Sequence, residues 1–403
     1  MPEQKKAVVP RLRFPEFRDA GPWEVKRLGD VCDVLQGYGF PHRFQGKQRG
    51  KYPFCKVSDV TRAVVENGGH ITSAANYIDE EDLLELRAQP LPPGTTIFAR
   101  IGEALRSNNR AITDVSCVID NNVGGLKALQ DIAIDYFVFC LAQRIDLNEH
   151  CGGAVPSVNK TTIESIKVAI PGAGEQQKIA DCLSSLNELI ELQAKQLEAL
   201  QAHKKGLMQQ LFPREGETTP RLRFPEFRDA GPWEVKRLSD IARHETSSLT
   251  LNTLVLTDSG YPIYGANGCI GFIDSFEQED KYIAMVKDGS GVGRLTIREG
   301  KSSVLSTLTY IKPREKSVLV TWLYYCLSAL DLSCFIKGSG IPHIYFSDVG
   351  ATKVGLPSLP EQQKIADCLS SLDELIELQA KQLEALQAHK KGLMQQLFPQ
   401  EVG

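Results

Sequence analysis

The sequence predicts an α+β protein with two mixed α/β domains, separated by two long and nearly identical helices. Two observations support this prediction. Two segments of the chain recur almost unchanged, and one of them has the composition and the apolar spacing of a long helix. The inserts between them carry short apolar runs broken by Gly, Pro and Asn, which are typical of strands and turns.

The first recurring segment, PRLRFPEFRDAGPWEVKRL, occupies residues 10–28 and returns without a change at 220–238. The second occupies residues 175–213 and returns at 361–399 with a single difference among its 39 residues. The order constant, variable, constant is therefore used twice. A solenoid is excluded because its repeats are only 20 to 50 residues long and vary throughout.

The two inserts look largely unrelated and are 146 and 122 residues long, a difference of 24. They share faint traces near their ends, such as GGAVPSV (152–158) and GSGIPHI (338–344). These boundaries divide the chain into six predicted segments: an N-terminal conserved segment 1–28, a first variable domain 29–174, a central conserved helix 175–213, a linker with the repeated segment 214–238, a second variable domain 239–360 and a C-terminal conserved helix 361–403.

Residues 175–211 are predicted to form one helix because they are rich in Leu, Ala, Glu, Gln and Lys, and Pro213 ends it. Apolar residues alternate at spacings of four and three, which is a coiled-coil pattern. Glutamine and lysine interrupt the seam at Gln193 and Lys204, and again at Gln379 and Lys390. The predicted seam comprises Ile179, Leu183, Leu186, Ile190, Gln193, Leu197 and Leu200 in the first copy, and Ile365, Leu369, Leu372, Ile376, Gln379, Leu383 and Leu386 in the second.

Because the two seams have the same sequence, we expect the helices to pair within the chain as an antiparallel coiled coil with pseudo-two-fold symmetry. Two alternatives stay open: each helix packs on its own variable domain, or two copies of the chain dimerise through them. The seam glutamines either set the register of the pair or tolerate a solvated position.

Within the first insert, DVCDVLQGYGF, YPFCKVSDV, TTIFARIG and NNVGGLKAL are interpreted as strands and turns, and residues 132–147 as a helix. The second insert offers KYIAMVKDGSGVGRLTI and SSVLSTLTYIKP as strands and VLVTWLYYCLSAL as a helix. Each insert therefore predicts a mixed α/β domain of moderate size.

Composition restricts the function classes without choosing one. The net charge is −4, which by itself does not indicate a nucleic-acid binder. The ten cysteines form no Cys-x-x-Cys pair and lie at no zinc-ligand spacing, so we expect reduced thiols in a cytoplasmic protein and no metal. No apolar stretch approaches twenty residues, and the first ten residues lack the apolar stretch of a secretory signal.

Certain insert loops concentrate basic and amide side chains, which bond guanine or adenine edges and hold phosphates. The alternative is that each cluster is an ordinary solvated loop. The candidate DNA-binding residues are Arg43, Gln45, Lys47, Arg49, Arg106, Asn108, Asn109, Arg110, Asn159 and Lys160 in the first insert, and Tyr264, Asn267, Lys287, Ser290, Arg294, Lys337, His343 and Tyr345 in the second.

We find no signature of a single-chain enzyme. The sequence lacks an Asn-Pro-Pro-[Phe/Tyr] methylase motif, a G-x-x-x-x-G-K-[ST] phosphate loop and an H-E-x-x-H zinc motif. The glycines of DGSGVGR (288–294) fail G-x-G-x-x-G, and a tight turn is their expected use. We therefore predict no catalytic residue and no cofactor in this chain.

Two motifs resemble a known family. WEVKRLGD (23–30) and WEVKRLSD (233–240) resemble the module start of the specificity subunit of type I restriction–modification enzymes. A proline followed by EQQKIA, with Pro171 and Pro357 ahead of each helix, resembles its module end. The likeness covers nearly the whole chain.

The resemblance implies that each variable domain is a target-recognition domain for one half of a bipartite double-stranded DNA target. It implies that the helices set the unread gap between the halves. It also implies a pair of modification subunits that methylate adenine with S-adenosylmethionine, and restriction subunits that use ATP and Mg. A scaffold that carries two binding modules but does not bind DNA is the alternative.

Overall fold

The computed structural model describes residues 8–153, 155–338 and 340–400. The predicted segments 1–28 and 361–403 therefore extend beyond the described residues at the two ends of the chain. The chain divides into two compact units, Met1–Lys195 with Lys381–Gly403 (unit 1) and Gln196–Ala380 (unit 2). Each unit thus takes the first part of one long helix and the last part of the other.

Among its described residues, unit 1 contains ten strands and the start of the first long helix. Its strands are β1 Glu24–Arg27, β2 Cys32–Gln36, β3 Tyr52–Cys55, β4 His70–Ile71, β5 Asn76–Ile78, β6 Thr96–Ala99, β7 Arg110–Thr113, β8 Val118–Ile119, β9 Val123–Ala128 and β10 Lys167–Ile170. The helices that begin in it are α1 Val57–Glu66, α2 Glu80–Leu86, α3 Asp135–Arg144, α4 Lys160–Ser165 and α5 Ala173–Leu211.

The described part of unit 2 contains nine strands and the start of the second long helix. Its strands are β11 Glu234–Arg237, β12 Ala242–Thr246, β13 Tyr261–Gly265, β14 Gly268–Ile273, β15 Tyr282–Val286, β16 Leu295–Arg298, β17 Ser303–Val304, β18 Leu308–Pro313 and β19 Lys353–Leu356. Its helices are α6 Leu238–Ile241, α7 Val320–Ser328, α8 Phe346–Val349 and α9 Leu359–Gln396.

The sheets of the two units follow one plan. In unit 1 the strand orders are β2-β9-β6-β7-β4, β5-β3-β8 and β1-β10; in unit 2 they are β12-β18-β15-β16, β14-β13-β17 and β11-β19. Unit 1 adds α1 and β4 between β3 and β5, where unit 2 has only the two-residue turn from β13 to β14. This addition accounts for most of the 24 extra residues of the first insert.

The helix predictions are largely confirmed. The first long helix begins two residues earlier than predicted, at Ala173, and the predicted helices at 132–147 and 318–330 are α3 and α7. The strand reading of YPFCKVSDV is correct only as far as Cys55. After it the chain turns into α1, because the Asp59 carboxylate accepts the Lys56 backbone N–H at 2.9 Å and caps the first turn. No helix in the described part of the chain is long and apolar enough to cross a membrane.

The end of each long helix packs in the hydrophobic core where the other long helix begins. In unit 1, Phe398 packs with its ring centroid 5.9 Å from Trp23, beside the buried Ile179 and Leu183 at the start of α5. In unit 2 the identical sequence places Phe212 at 6.3 Å from Trp233. The same apolar residues therefore pack in the same way in both units, with the two helices exchanged.

Polar contacts inside the units order the two helices antiparallel, as predicted. In unit 1, Asn187 accepts a hydrogen bond from Lys390 at 2.5 Å, and Gln193 donates to Gln382 at 3.3 Å. In unit 2, Lys204 pairs with Asp373 at 2.5 Å. The alternative that each helix packs on its own domain also describes part of the structure, because the first turns of α5 and α9 are buried in the core of the unit where each begins.

A buried ion pair joins the two constant segments of each unit. The Arg13 guanidinium donates to both carboxylate oxygens of Glu175 at 2.8 and 2.7 Å, and the Arg13 and Glu175 side chains are 8% and 3% exposed. Trp23 Nε1 donates to the same carboxylate at 3.3 Å. Arg223 and Glu361 repeat the pair in unit 2. This bidentate pair explains why the segment around Arg13 and the helix start recur together.

Arg13→Met should destabilise unit 1 by about 3 kcal/mol, because the Glu175 carboxylate would stay buried without its counter-charge. Arg11→Met is the matched control, since Arg11 is exposed and its change should stay within about 0.5 kcal/mol. Urea denaturation of the full chain, with hydrogen exchange to localise the loss, measures both. Equal stabilities for the two variants would contradict a structural role for the pair.

A second prediction concerns Lys390, whose pKa is lowered by burial despite the nearby Cys140 and Glu191. Between that lowered value and the ordinary 10.5, the unfolded chain binds this proton more tightly, so the unfolding free energy rises with pH. The stability of the wild type relative to Lys390→Met should therefore increase with pH through this window. Lys204→Met, the same change in the other helix, should leave the pH dependence that Lys390 contributes to the unfolding free energy unchanged. A pH-independent difference between the wild type and Lys390→Met would contradict the assignment.

Candidate nucleic-acid interface

In unit 2 the candidate residues lie in three segments, around Asn267, Lys287 and His343, which hydrogen bonds join into one surface. The loop after β15 and the hairpin 337–343 are joined by backbone hydrogen bonds from Ile344 N to Lys287 O at 2.8 Å and from Gly289 N to Pro342 O at 2.9 Å. Arg294 then connects this surface to the β13–β14 turn, donating to Ala266 O at 3.1 Å and to Asn267 Oδ1 at 3.3 Å. The structure therefore brings together seven candidates, with Lys337 paired to Asp348 at 2.9 Å: Asn267, Lys287, Ser290, Arg294, Lys337, His343 and Tyr345. The Tyr264 ring is instead half-buried against the core, with the Arg298 guanidinium 4.1 Å from its centroid.

Unit 1 builds the equivalent surface from unrelated side chains. Val158 N donates to Arg100 O at 3.0 Å, and Gly102 N donates to Pro156 O at 2.8 Å. These two bonds hold the hairpin 152–157 on the loop after β6, as the corresponding bonds do in unit 2. GGAVPSV and GSGIPHI contain these hairpins, although Ala154 and Ser339 lie outside the described residues. We call 152–157 and 337–343 the reading hairpins.

The loop that carries Arg43, Gln45, Lys47 and Arg49 lies elsewhere in unit 1, against the acidic helix α2. Arg43 pairs with Glu85 at 2.6 Å, and Lys47 pairs with Asp82 at 2.7 Å. The hydrogen bond between Lys47 and Asp82 raises the pKa of the lysine and lowers that of the aspartate.

Cations that are paired in this way offer less net charge to a phosphate. The amide of Gln45 is also engaged, between Phe40 O and Lys56 Nζ. Arg49 is exposed, and the described part of the chain shows no hydrogen bond or ion pair for it. Within this loop Arg49 is therefore the cation most available to DNA.

The side chains of Arg110 and Asn108 make hydrogen bonds inside unit 1 and are not presented to solvent as DNA contacts. Arg110 is 4% exposed and donates to Ala142 O at 3.2 Å and Ile145 O at 3.1 Å, which closes the C-terminus of α3. It also donates to Asn108 Oδ1 and Asn109 O. Burial lowers the pKa of the Arg110 guanidinium to about 10. We therefore leave Arg110 and Asn108 out of the candidate surface.

Of the remaining candidates of unit 1, Asn109 is half-buried and its carbonyl accepts from Arg110. Asn148 Nδ2 donates to Arg106 O at 3.4 Å, and Arg106 pairs with Glu103 at 2.9 Å on the surface. Asn159 caps α4, accepting from Thr162 N at 2.8 Å, and Lys160 follows it with Glu164 3.5 Å away. Asn159 therefore has a structural use in this conformation, while Arg106 and Lys160 are exposed.

Sequence reasoning missed Arg100, which occupies in unit 1 the place that Lys287 occupies in unit 2. Both follow a central strand, β6 or β15. The backbone carbonyl of each accepts a hydrogen bond from the residue that follows the reading hairpin. Arg100 Nε is buried without a hydrogen-bond partner in the described part of the chain. The available signal was the similarity between GGAVPSV and GSGIPHI, because aligning these two segments also aligns the loops to which they are hydrogen-bonded.

The described residues contain no group of three or more His, Cys, Asp or Glu side chains placed to hold a metal ion. Two units of one plan, each presenting a hairpin surface with cations and amides, define a recognition protein with two modules. The chain belongs to the family described as the type I restriction modification DNA specificity domain, whose model matches residues 21–202 and 231–388. The resemblance identified from WEVKRL and EQQKIA is thereby confirmed.

Known proteins agree with this assignment. The chain is 24% identical to the type I restriction enzyme MjaVIII specificity subunit of Methanocaldococcus jannaschii, over 96% of this chain and 93% of the relative. It is 23% identical to the putative type I specificity subunit S.MpnORF507P of Mycoplasma pneumoniae, over 86% and 88%.

Two solved structures share the fold. The type I restriction–modification S subunit from M. genitalium matches with a TM-score of 0.66 and 16% identity, covering 98% of this chain and all of that one. A chain from a structure on complex assembly and conformational transition of the type I R-M system matches with a TM-score of 0.53 and 18% identity, covering 94% and 98%.

Arg110→Ala should lower the stability of unit 1 by about 3 kcal/mol, because it leaves several buried carbonyls without a donor. Arg106→Ala is the matched control on the same loop, and its exposed ion pair should contribute less than about 1 kcal/mol. Urea denaturation checks both variants. An Arg110→Ala chain as stable as the wild type would return Arg110 to the candidate DNA contacts.

Proposed function

We propose that each unit reads one half of a bipartite target in double-stranded DNA through its reading hairpin and the loops bonded to it. The observation that carries this proposal is the repetition of one backbone frame with different side chains. Lys287, His343 and Tyr345 of unit 2 stand where unit 1 has Arg100, Ser157 and Asn159. A fixed backbone with changed donors and acceptors suits two readers of different sequences.

Two polar contacts between each constant helix and its variable domain use only backbone groups of the domain. Gln176 donates to Ile132 O at 3.0 Å and accepts from Ile134 N at 3.2 Å, both on the backbone ahead of α3. Gln362 makes the same two contacts with the residues ahead of α7, donating to Ser317 O at 3.0 Å and accepting from Leu319 N at 2.9 Å. Because backbone groups are common to every sequence, a new variable domain can keep these two contacts with the same helix.

The constant helices also present a docking surface for modification subunits. Leu189 and Leu192 are 45% and 54% exposed, three residues apart on one face of α5. The repeat places Leu375 and Leu378 at the same positions of α9, 39% and 52% exposed. Two copies of one apolar surface suit a pair of identical partners.

We assign the chemistry to those partners. In this proposal this chain supplies recognition and carries no catalytic group. The modification subunits bring S-adenosylmethionine for adenine methylation, and restriction subunits bring ATP and Mg. The length of the helix pair sets the unread gap between the two half-sites. The purified chain with S-adenosylmethionine and DNA should therefore transfer no methyl group.

Long-read mapping of methylated adenines, in cells with and without this gene, tests the function directly. One bipartite motif should disappear with the gene and return with a plasmid copy. An electrophoretic shift with partner subunits present adds the comparison with random duplex. If the motif never depends on the gene and no duplex is preferred, a scaffold that does not bind DNA becomes the better account.

Replacing residues 29–174 with the corresponding region of a relative should change one half of the methylated motif and leave the other half and the gap unaltered. The reason is that each reading hairpin is bonded within its own unit, and that Gln176 contacts backbone groups of the exchanged domain. Replacing 239–360 instead provides the reciprocal control. A change in both halves from a single exchange would contradict independent reading.

A further inference from the structure

The tip of each reading hairpin exposes one β-branched aliphatic side chain. Val155 is 61% exposed and Ile341 is 72% exposed. A single exposed aliphatic residue is unremarkable on a protein surface. Here, however, two domains with largely unrelated sequences expose one at the same point, immediately before the proline whose carbonyl bonds the loop after the central strand.

The described backbone of each hairpin is hydrogen-bonded at its base, while Val155 and Ile341 are exposed near its tip. Lys337 and His343 exchange two backbone hydrogen bonds, of 2.9 and 2.8 Å, across the hairpin of unit 2. Gly338 has φ +96°, and a Cβ there would lie 2.5 Å from Ile341 O, so the turn that carries Ile341 requires glycine. In unit 1, Gly152 N bonds Ser157 O at 3.4 Å and Gly153 has φ +90°.

The surroundings of the two tips suit duplex DNA. Lys287 and Arg294 of unit 2 lie on the surface to which its hairpin is bonded, and Arg100 follows the same strand in unit 1. These side chains are positively charged, as contact with phosphates requires. A two-stranded ribbon fits the major groove, where the only apolar group on a base edge is the 5-methyl of thymine.

We propose that Val155 and Ile341 are base contacts, each packing against the 5-methyl group of a thymine in the half-site read by its own unit. This proposal rests on the proposed function. It adds two residues that carry no charge and no hydrogen-bonding group to the predicted contacts. Polar neighbours such as Ser157 and His343 would read adjacent base edges.

The test uses the full chain assembled with its modification subunits, and duplexes that carry the mapped target. Each thymine of the target is replaced in turn by uracil, which removes only the methyl group. For the wild type, one uracil in each half-site should weaken binding about fourfold, the value of one buried methyl. With Ile341→Ala the penalty should vanish in the half-site of unit 2 and remain in that of unit 1, and Val155→Ala should do the reverse.

Val255→Ala is the matched control, because Val255 is an 81% exposed valine of unit 2 outside the hairpin and should keep both penalties. Unfolding midpoints of all three variants should equal that of the wild type, since none of the side chains is buried.

Three results would overturn the proposal: a half-site without thymine on either strand, a wild-type complex indifferent to every uracil, or an Ile341→Ala complex that keeps the full penalty. In the last case, an Ile341→Ala complex that loses affinity equally on thymine and uracil duplexes would indicate a wedge between base steps. Failure of the wild-type complex to prefer its mapped target over random duplex would instead refute the proposed function itself.

Discussion

The buried pairing of Arg13 with Glu175, repeated as Arg223 with Glu361, is the constraint on which both units depend. Each arginine comes from the segment before a variable domain and each glutamate from the helix after it, so the pair closes the domain at its two ends. Removing two charges from water costs several kcal/mol each, and the cost is offset only because the pair is bidentate. Neither partner tolerates independent change, which accounts for the recurrence of both residues in the two copies.

The ion pair also determines what is free to vary. Once the ends of a domain are fixed, Gln176 and Gln362 bond only backbone groups of the domain, while the apolar residues of each helix start need an apolar face to pack against. The reading hairpins follow the same logic, since they are bonded to the loop after the central strand through carbonyl and amide groups. Side chains on that frame can then diverge without loss of fold, while the frame keeps them facing the same way.

Sequence patterns predicted the parts of this structure that depend on periodicity and repetition. The long helices, the two-module plan and the antiparallel pairing all follow from a seam that occurs twice. Side-chain exposure could not be predicted, because the sequence around Arg106 and Arg110 does not distinguish a buried arginine from an exposed one. Only the fold shows that Arg110 closes α3 from inside while Arg106 is exposed. The pairing of Lys47 with Asp82 likewise depends on α2, which the sequence did not reveal.

The one difference between the repeated helices shows how a constant frame is adapted to its two domains. Asn187 donates to Glu191 at 2.8 Å and to Gly68 O at 3.3 Å, both acceptors, while its own oxygen accepts from Lys390. Asp373 instead accepts from Lys204 and from the Tyr325 hydroxyl at 2.7 Å, both donors. An amide suits the first position because a carboxylate there would face a carbonyl and a second carboxylate. The substitution therefore follows the polarity of the variable domain that each helix supports. Where the domain offers a carbonyl the frame needs a donor, and where it offers a hydroxyl the frame can keep its charge.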